Sequence, residues 1–349
     1  MQEDFQCFSG RNQKSILVQK LPFEIAFLSG QTKVQQLVHS ITEAIVTGKL
    51  KKGNFLPSVN QLSSAGGCSR DTVFKAYKVL QDRKLVESAP ARGYYVTGES
   101  FRIFMLLDDF SAFKEQLYQS FRSNLPDTFS VDLLFHHYNR EVFTQLVQNS
   151  IGRYSYYVVM NIDHKGMEPV LKKLDTGRLL ILDMGQPDSG EISYIIQNFR
   201  EAVENCLEEG LPLLKKYSEI VIVYDEAETP HPSETVEAVS HFCSKNGLLF
   251  RSIRKFLPGL MNAGQCWFTI RDADLVEVIK ACRARNWEAG KEIGVLSYND
   301  TPMKQIVGGG ISVISTDFDQ MGILASEFVK NGNKVVKVLP TSLILRNSL

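Results

Sequence analysis

The chain has 349 residues, 44% of them apolar, with 39 Lys/Arg against 39 Asp/Glu and therefore no formal net charge. That length suits two domains, and that balance argues against a protein coated in nucleic acid over its whole surface. No apolar run is long enough to span a bilayer and the opening residues, MQEDFQCFSGRNQKS, lack a signal-peptide core, so a cytoplasmic protein without membrane contact is expected.

The average hides an asymmetry. Residues 1–100 carry 13 Lys/Arg and 8 Asp/Glu, and residues 49–92 carry nine and three, which leaves the remainder acidic. A small basic module joined to a larger acidic one is the pattern of a chain that touches phosphate at one end. The six cysteines (Cys7, Cys68, Cys206, Cys243, Cys266, Cys282) are scattered, with no Cys-x-x-Cys and no clustering with histidine. Reduced thiols are expected, with no metal site and no cofactor.

In chain order, residues 1–31 read as an N-terminal arm or leader, and the alternating apolar residues before Leu21 favour a β-arm. Residues 32–98 read as a DNA-binding module. Val34, Leu37, Val38, Ile41 and Ile45 share one helical face, with Thr32 as N-cap and Gly48 at the end. "LPSVNQL" opens a second helix, with Ser58 and Gln61 at capping-box spacing. After "AGGC", Ser69 caps a third helix that buries Val73, Ala76, Tyr77 and Leu80 and turns Arg70, Phe74, Lys75 and Lys78 outward. Segments 85–88 and 94–97 then flank a Pro/Gly turn carrying Arg92, a small hairpin. Three helices and a hairpin with cations on the third helix and the hairpin tip make a winged helix-turn-helix, whose third helix fits the major groove.

The run "LPSVNQL…CSRDTVFKAYKVLQDRKLV…ARGYYV" resembles the GntR-type winged-helix signature over about seventy residues. The resemblance implies that Ser69, Arg70 and Thr72 open the recognition helix, that Lys75 lies on its exposed face, and that Arg92 and Gly93 form a wing entering the minor groove. Ser58 and Asn60, on the second helix, complete the expected DNA-binding set. Two residues depart from that signature, Asn60 where arginine is usual and Ala91 where the wing usually has glycine. An altered operator preference is expected from them.

From residue 101 onward, strand-length apolar runs alternate with helical stretches. The runs fall at 102–107, 131–135, 156–160, 178–182, 220–224, 248–253, 266–270, 293–296 and 311–314. Buried continuous strands separated by helices imply parallel sheets, here an α/β domain of two doubly wound lobes over 101–349 with a ligand cleft at the strand ends. Those ends are rich in Asp and Asn, whose side chains offer the acceptors and donors that sugar hydroxyls need. The closing stretch, with "YND", "ISVISTDFDQMG" and "LPTSLILRNSL", is similar to the end of LacI-type regulators and the related periplasmic sugar-binding proteins.

That resemblance implies a periplasmic-binding-protein-like sensor. It places Asn161 and Asp183 on the first lobe's side of the cleft, Arg271, Asp272 and Asn299 on the second lobe's side, and Phe318 at a crossover; Asp109, at a polar strand end, and Phe110, an aromatic beside it, join the candidate set from the residue pattern. His231 and Glu234 are weaker candidates from a poorly matching segment, and His231 is equally readable as a structural histidine. Arg271 and Asn299 depart from the common pattern in ways that add positive or remove negative character. The whole arrangement looks like arabinose repressors and, more narrowly, like GntR-type regulators that sense L-fucose.

The expected function is a sequence-specific regulator of a carbohydrate operon, a homodimer on double-stranded operator DNA, controlled by a monosaccharide: L-fucose first, then L-arabinose. The alternative is an enzyme on a small polar substrate, tethered to DNA. It is disfavoured because the chain has no Gly-x-Ser-x-Gly, no P-loop and no Gly-x-Gly-x-x-Gly opening a helix, and no catalytic residue is expected.

Overall fold

The computed structural model describes residues 21–25, 32–97, 101–162, 164–188, 190–227 and 230–349. The arm expected over residues 1–31 lies outside them apart from 21–25. The chain divides into two compact units, Met1–Glu99 and Ser100–Leu349.

The first unit holds α1 (Lys33–Val46), α2 (Val59–Ala65), α3 (Arg70–Asp82) and the hairpin β1 (Val86–Ala89) and β2 (Gly93–Val96). Each helix is started by its own side chains. Thr32 and Ser58 form reciprocal capping boxes with Gln35 and Gln61, and Ser69 accepts the Thr72 amide at 3.1 Å. Gly48 follows α1 at φ +71°, the left-handed turn that ends a helix. Leu37, Ile41, Leu62, Val73, Tyr77 and Leu80 fill the interior. The Tyr77 hydroxyl donates to the Pro57 carbonyl, and its ring lies 4.6 Å from Tyr94, which ties α3 to the start of α2 and to β2. The hairpin is one residue out of step with the sequence reading because buried Val86 pairs buried Val96 and Gly93 closes the turn. Phe55 adds a bridge to Tyr95 that the sequence pattern did not mark.

The second unit is two lobes. Lobe A contains β3 (Phe101–Leu107), α4 (Ala112–Ser123), β4 (Phe129–Phe135), α5 (Arg140–Ser150), β5 (Tyr156–Met160), α6 (His164–Leu171), β6 (Leu179–Asp183) and β7 (Ser193–Gln197). Lobe B follows with α7 (Glu201–Glu209), α8 (Leu211–Leu214), β8 (Glu219–Val223), α9 (Glu234–Asn246), β9 (Leu249–Ile253), β10 (Gln265–Thr269), α10 (Asp272–Ala284), β11 (Gly294–Tyr298) and β12 (Ser312–Thr316). The chain then returns to lobe A with α11 (Phe318–Asn331) and β13 (Val336–Leu339), and ends in lobe B with β14 (Thr341–Ile344).

Lobe A has strand order β13-β7-β6-β5-β3-β4, all parallel. Lobe B has order β14-β12-β11-β10-β8-β9, parallel except for β14. Alternate residues of β8 enter different cores, Ile220 and Ile222 on one face and Val221 and Val223 on the other, so this sheet is covered on both sides. Gly322 lets α11 approach α4, because a Cβ there would meet the Leu117 carbonyl oxygen at 2.5 Å. The polypeptide passes between the lobes three times, at residues 198–200, at Asp317 and at Pro340, so the strand ends of both sheets face one cleft.

Three strands, β7, β13 and β14, are additions to the sequence reading. No helix among the described residues is long and apolar enough to cross a membrane.

Candidate functional site

Two regions carry the expected site residues, one in each unit. In the first unit, Ser69 caps α3 and its hydroxyl lies 2.8 Å from that of Thr72, so both side chains are engaged in starting the helix. Ser58 does the same for α2, and Asn60 is exposed on it. Arg70, Lys78 and Arg92 are exposed and have no carboxylate partner among the described residues, whereas Lys75 is paired with Asp71 at 2.8 Å. Arg92 sits at the hairpin turn between Ala91, at φ +61°, and Gly93, at φ +96°. Unpaired cations on a helix start and on a hairpin tip are free to neutralise phosphates.

In the second unit the strand ends of lobe A build a buried polar cluster. Lys114, on α4, contacts both Asp108 and Asp109, and the Tyr138 hydroxyl donates to Asp108 at 2.5 Å. The Tyr138 amide donates to His136 Nδ1 at 3.1 Å, which leaves the ring proton on Nε2, facing the Met160 carbonyl at 3.1 Å. Burial lowers the His136 pKa, so this imidazole is neutral. Asp183 ends β6 at φ +71° and accepts from the Gln197 amide. Burial first, and then the charge of Asp108, raise its pKa to about 6.

A cavity of about 470 Å³ opens beside this cluster, between the ends of β5, β6 and β7 and the start of α9. Its wall includes Asn161, Gln186, Gln197, Asn198, Arg200 and Glu234, with Met184 and Phe199 as apolar elements. Arg200 is already paired with Glu237 at 3.0 Å.

Of the ten expected ligand residues, Asn161 and Glu234 line this cavity. Asp109 is tied to Lys114 in the adjoining cluster, and Phe110 projects outward, 68% exposed. Arg271 spends its fork on Asp274 at 2.8 Å at the start of α10, and Asp272 pairs with Lys304 at 2.9 Å. Phe318 packs its ring 4.7 Å from Phe113 and borders a second cavity, of about 410 Å³, with Asp300 and Asp317.

Asn299 stands at φ +59°, and its side-chain oxygen is buried without a hydrogen-bond partner among the described residues. Lys304 holds the loop below it through the carbonyls of Tyr298 and Asn299, at 2.7 and 2.9 Å.

His231 does not line the cavity. Its ring is 4.4 Å from Tyr298 and 5.2 Å from Phe199. The Thr235 hydroxyl donates to the Phe199 carbonyl, so His231 Nε2 is the donor in its 2.7 Å contact with that hydroxyl. Burial drives its pKa down to about 3. His231 is thus held by Tyr298, Phe199 and Thr235, the structural one of the two roles its sequence position allowed.

Lys114, Gln186 and Arg200 were missed in the sequence, whereas Asn198 stood among its polar strand ends. For Lys114 a signal existed, since it occupies the position i−3 from Leu117 and i−7 from Phe121 on the buried face of α4. Among the described residues no cluster of His, Cys, Asp and Glu could hold a metal ion.

Residues 33–96 match the sequence model of bacterial regulatory proteins of the gntR family. The HTH-type transcriptional repressor YtrA of Bacillus subtilis (strain 168) is 32% identical over 85 residues, 24% of this chain and 65% of YtrA. Across the curated relatives it matches, the chain spans 14% to 65% of their lengths. Those relatives are named as regulators of transcription, not enzymes.

Among solved structures, the trehalose repressor from Escherichia coli superposes with a TM-score of 0.61 at 10% identity, over 70% of this chain and 100% of that one. The lac repressor dimer bound to operator and an anti-inducer gives 0.58 at 16% identity, over 72% and 94%. At such identities the likeness is one of fold. The first unit is thus a gntR-type winged helix, and the second is an α/β pair of parallel-sheet lobes with the fold of LacI-type regulators.

Proposed function

We propose that the chain is a transcriptional regulator of a carbohydrate operon, in which the winged helix binds operator DNA and the cleft of the second unit binds a monosaccharide effector. The reading rests chiefly on Arg70, Lys78 and Arg92, three exposed cations with no carboxylate partner among the described residues, on the recognition helix and the wing of a gntR-type module. The chain acts as a homodimer, which places two winged helices over a pseudo-palindrome. The effector closes the cleft, and a coupling of about 1–3 kcal/mol between cleft and DNA suffices for a switch.

The cleft suits an uncharged ligand. Its cations are already paired: Arg200 with Glu237, Lys114 with Asp108 and Asp109, Arg271 with Asp274. Asn161, Gln186 and Asn198 offer amides, and Met184 and Phe199 offer apolar surface. Amides beside apolar surface suit a neutral sugar, and L-fucose, then L-arabinose, are the first sugars to try on the strength of the sequence resemblance.

Two measurements on the full chain test the reading. Thermal unfolding is followed with L-fucose, L-arabinose, D-galactose, D-ribose and a set of sugar phosphates. A shift with a neutral sugar supports the sensor, and a shift with phosphates alone overturns the neutral-ligand assignment. Arg70→Ala should abolish specific DNA binding while leaving the sugar shift intact. Specific binding that survives Arg70→Ala removes α3 from the operator.

A further inference from the structure

Phe74 is a large apolar side chain on the outer face of α3, 46% exposed. The helix has no need of it inside, since Val73, Ala76, Tyr77 and Leu80 already fill the inner face and are fully buried. Phe74 stands four residues after Arg70 and four before Lys78, so the three side chains form one stripe along the helix. Both flanking cations are exposed and without a carboxylate partner among the described residues. Phe55, the other large apolar group exposed among the described residues of this unit, at 47%, has the Tyr95 ring 6.0 Å away. Phe74 has no ring neighbour among the described residues.

An exposed aromatic ring between two unpaired cations calls for a polyanion that also presents an apolar group. The major-groove edge of a duplex has one such group, the C5-methyl of thymine. We infer that Phe74 packs against a thymine methyl when α3 lies in the major groove, with Arg70 one turn earlier on a base edge and Lys78 one turn later on a phosphate. The inference rests on the reading of α3 as the recognition helix. It adds a specificity determinant to that reading: one T·A pair in each half-site, read by hydrocarbon contact.

The test uses the full-length chain and a duplex selected by it from a random pool. Each thymidine is replaced in turn by deoxyuridine, which removes the methyl group and keeps every hydrogen bond. One replacement per half-site should weaken wild-type binding about fourfold, the factor carried by burial of a single methyl. Phe74→Ala should lose the preference for thymine at that position alone, with its unfolding temperature unchanged, and Phe74→Leu should keep part of it. Indifference of the wild type to every replacement, or a methyl preference that survives Phe74→Ala, overturns the contact. A chain that selects no sequence at all overturns the recognition-helix reading together with it.

Discussion

Gln197 and Tyr298 belong to different lobes, and the Tyr298 hydroxyl donates to the Gln197 side-chain oxygen at 3.0 Å. The same oxygen accepts the Thr316 hydroxyl at 3.1 Å, Thr316 meets the Thr341 hydroxyl at 2.8 Å, and the Gln197 amide donates to Asp183. One buried side chain thus ties β6, β7, β11 and β12 together, close to all three chain crossings. Gln197→Leu leaves two hydroxyls and a carboxyl buried without their partner and should cost about 2–4 kcal/mol of unfolding free energy. Tyr298→Phe removes a single bond, and about 1 kcal/mol is expected. Denaturant unfolding of both variants checks the difference; equal losses would mean that Gln197 is not the shared acceptor.

Asp183 makes stability depend on pH. Its carboxyl titrates near 3.8 when unfolded and about 6 when folded, because burial disfavours its charged form. Between those values the native state holds more protons than the unfolded one, so this group's contribution falls as pH rises through the window and is level above it. Asp183→Asn cannot titrate. Relative to wild type, its stability should rise between about pH 4 and pH 6 by up to about 3 kcal/mol. Urea unfolding of the pair at several pH values gives the slope, and a difference that stays constant across the window contradicts the prediction.

Lys114 is almost wholly buried between Asp108 and Asp109. Lys114→Met strands those carboxylates and should cost about 3–5 kcal/mol. Combining it with Asp108→Asn removes one of the stranded charges and should restore a good part of that loss. If the double variant is as unstable as the single one, the loss came from packing instead of charge.

Ala91 occupies a left-handed turn, φ +61°, where a Cβ costs about 1 kcal/mol. Ala91→Gly should therefore firm the wing. Hydrogen exchange reads this at the amides of Gly53 and Leu56, which donate to Val96 and Tyr94. Slower exchange at both is expected, and Ala91→Val should speed it.

The winged helix was legible because its instructions are local. Thr32, Ser58 and Ser69 announce three helix starts within a few residues of each, and the buried faces repeat at helical spacing. The parallel sheets were legible where strands are apolar on both faces, as in β5, β6 and β8. β13 and β14 were not, since they lie at sheet edges where Val336, Val338 and Ile344 are exposed and no buried run forms. The cleft was legible as a row of polar strand ends. Which side chains converge there depends on partners far along the chain: Gln197 meets Tyr298, and His231 sinks against the same tyrosine. Arg271 is the exception, because its competitor Asp274 is three residues away and could have been weighed from spacing alone.

The nested path of the chain bears on how the protein is made. Lobe A receives its edge strand from Val336–Leu339 and lobe B receives its own from Thr341–Ile344, while Ser348 reaches back to bond the Val295 carbonyl and the Ser312 amide. On a ribosome, more than two hundred residues therefore emerge before either sheet can close, although the winged helix, complete by Val96, folds long before. A nascent chain in that interval exposes open sheet edges beside apolar faces, the surfaces through which half-built lobes associate with one another.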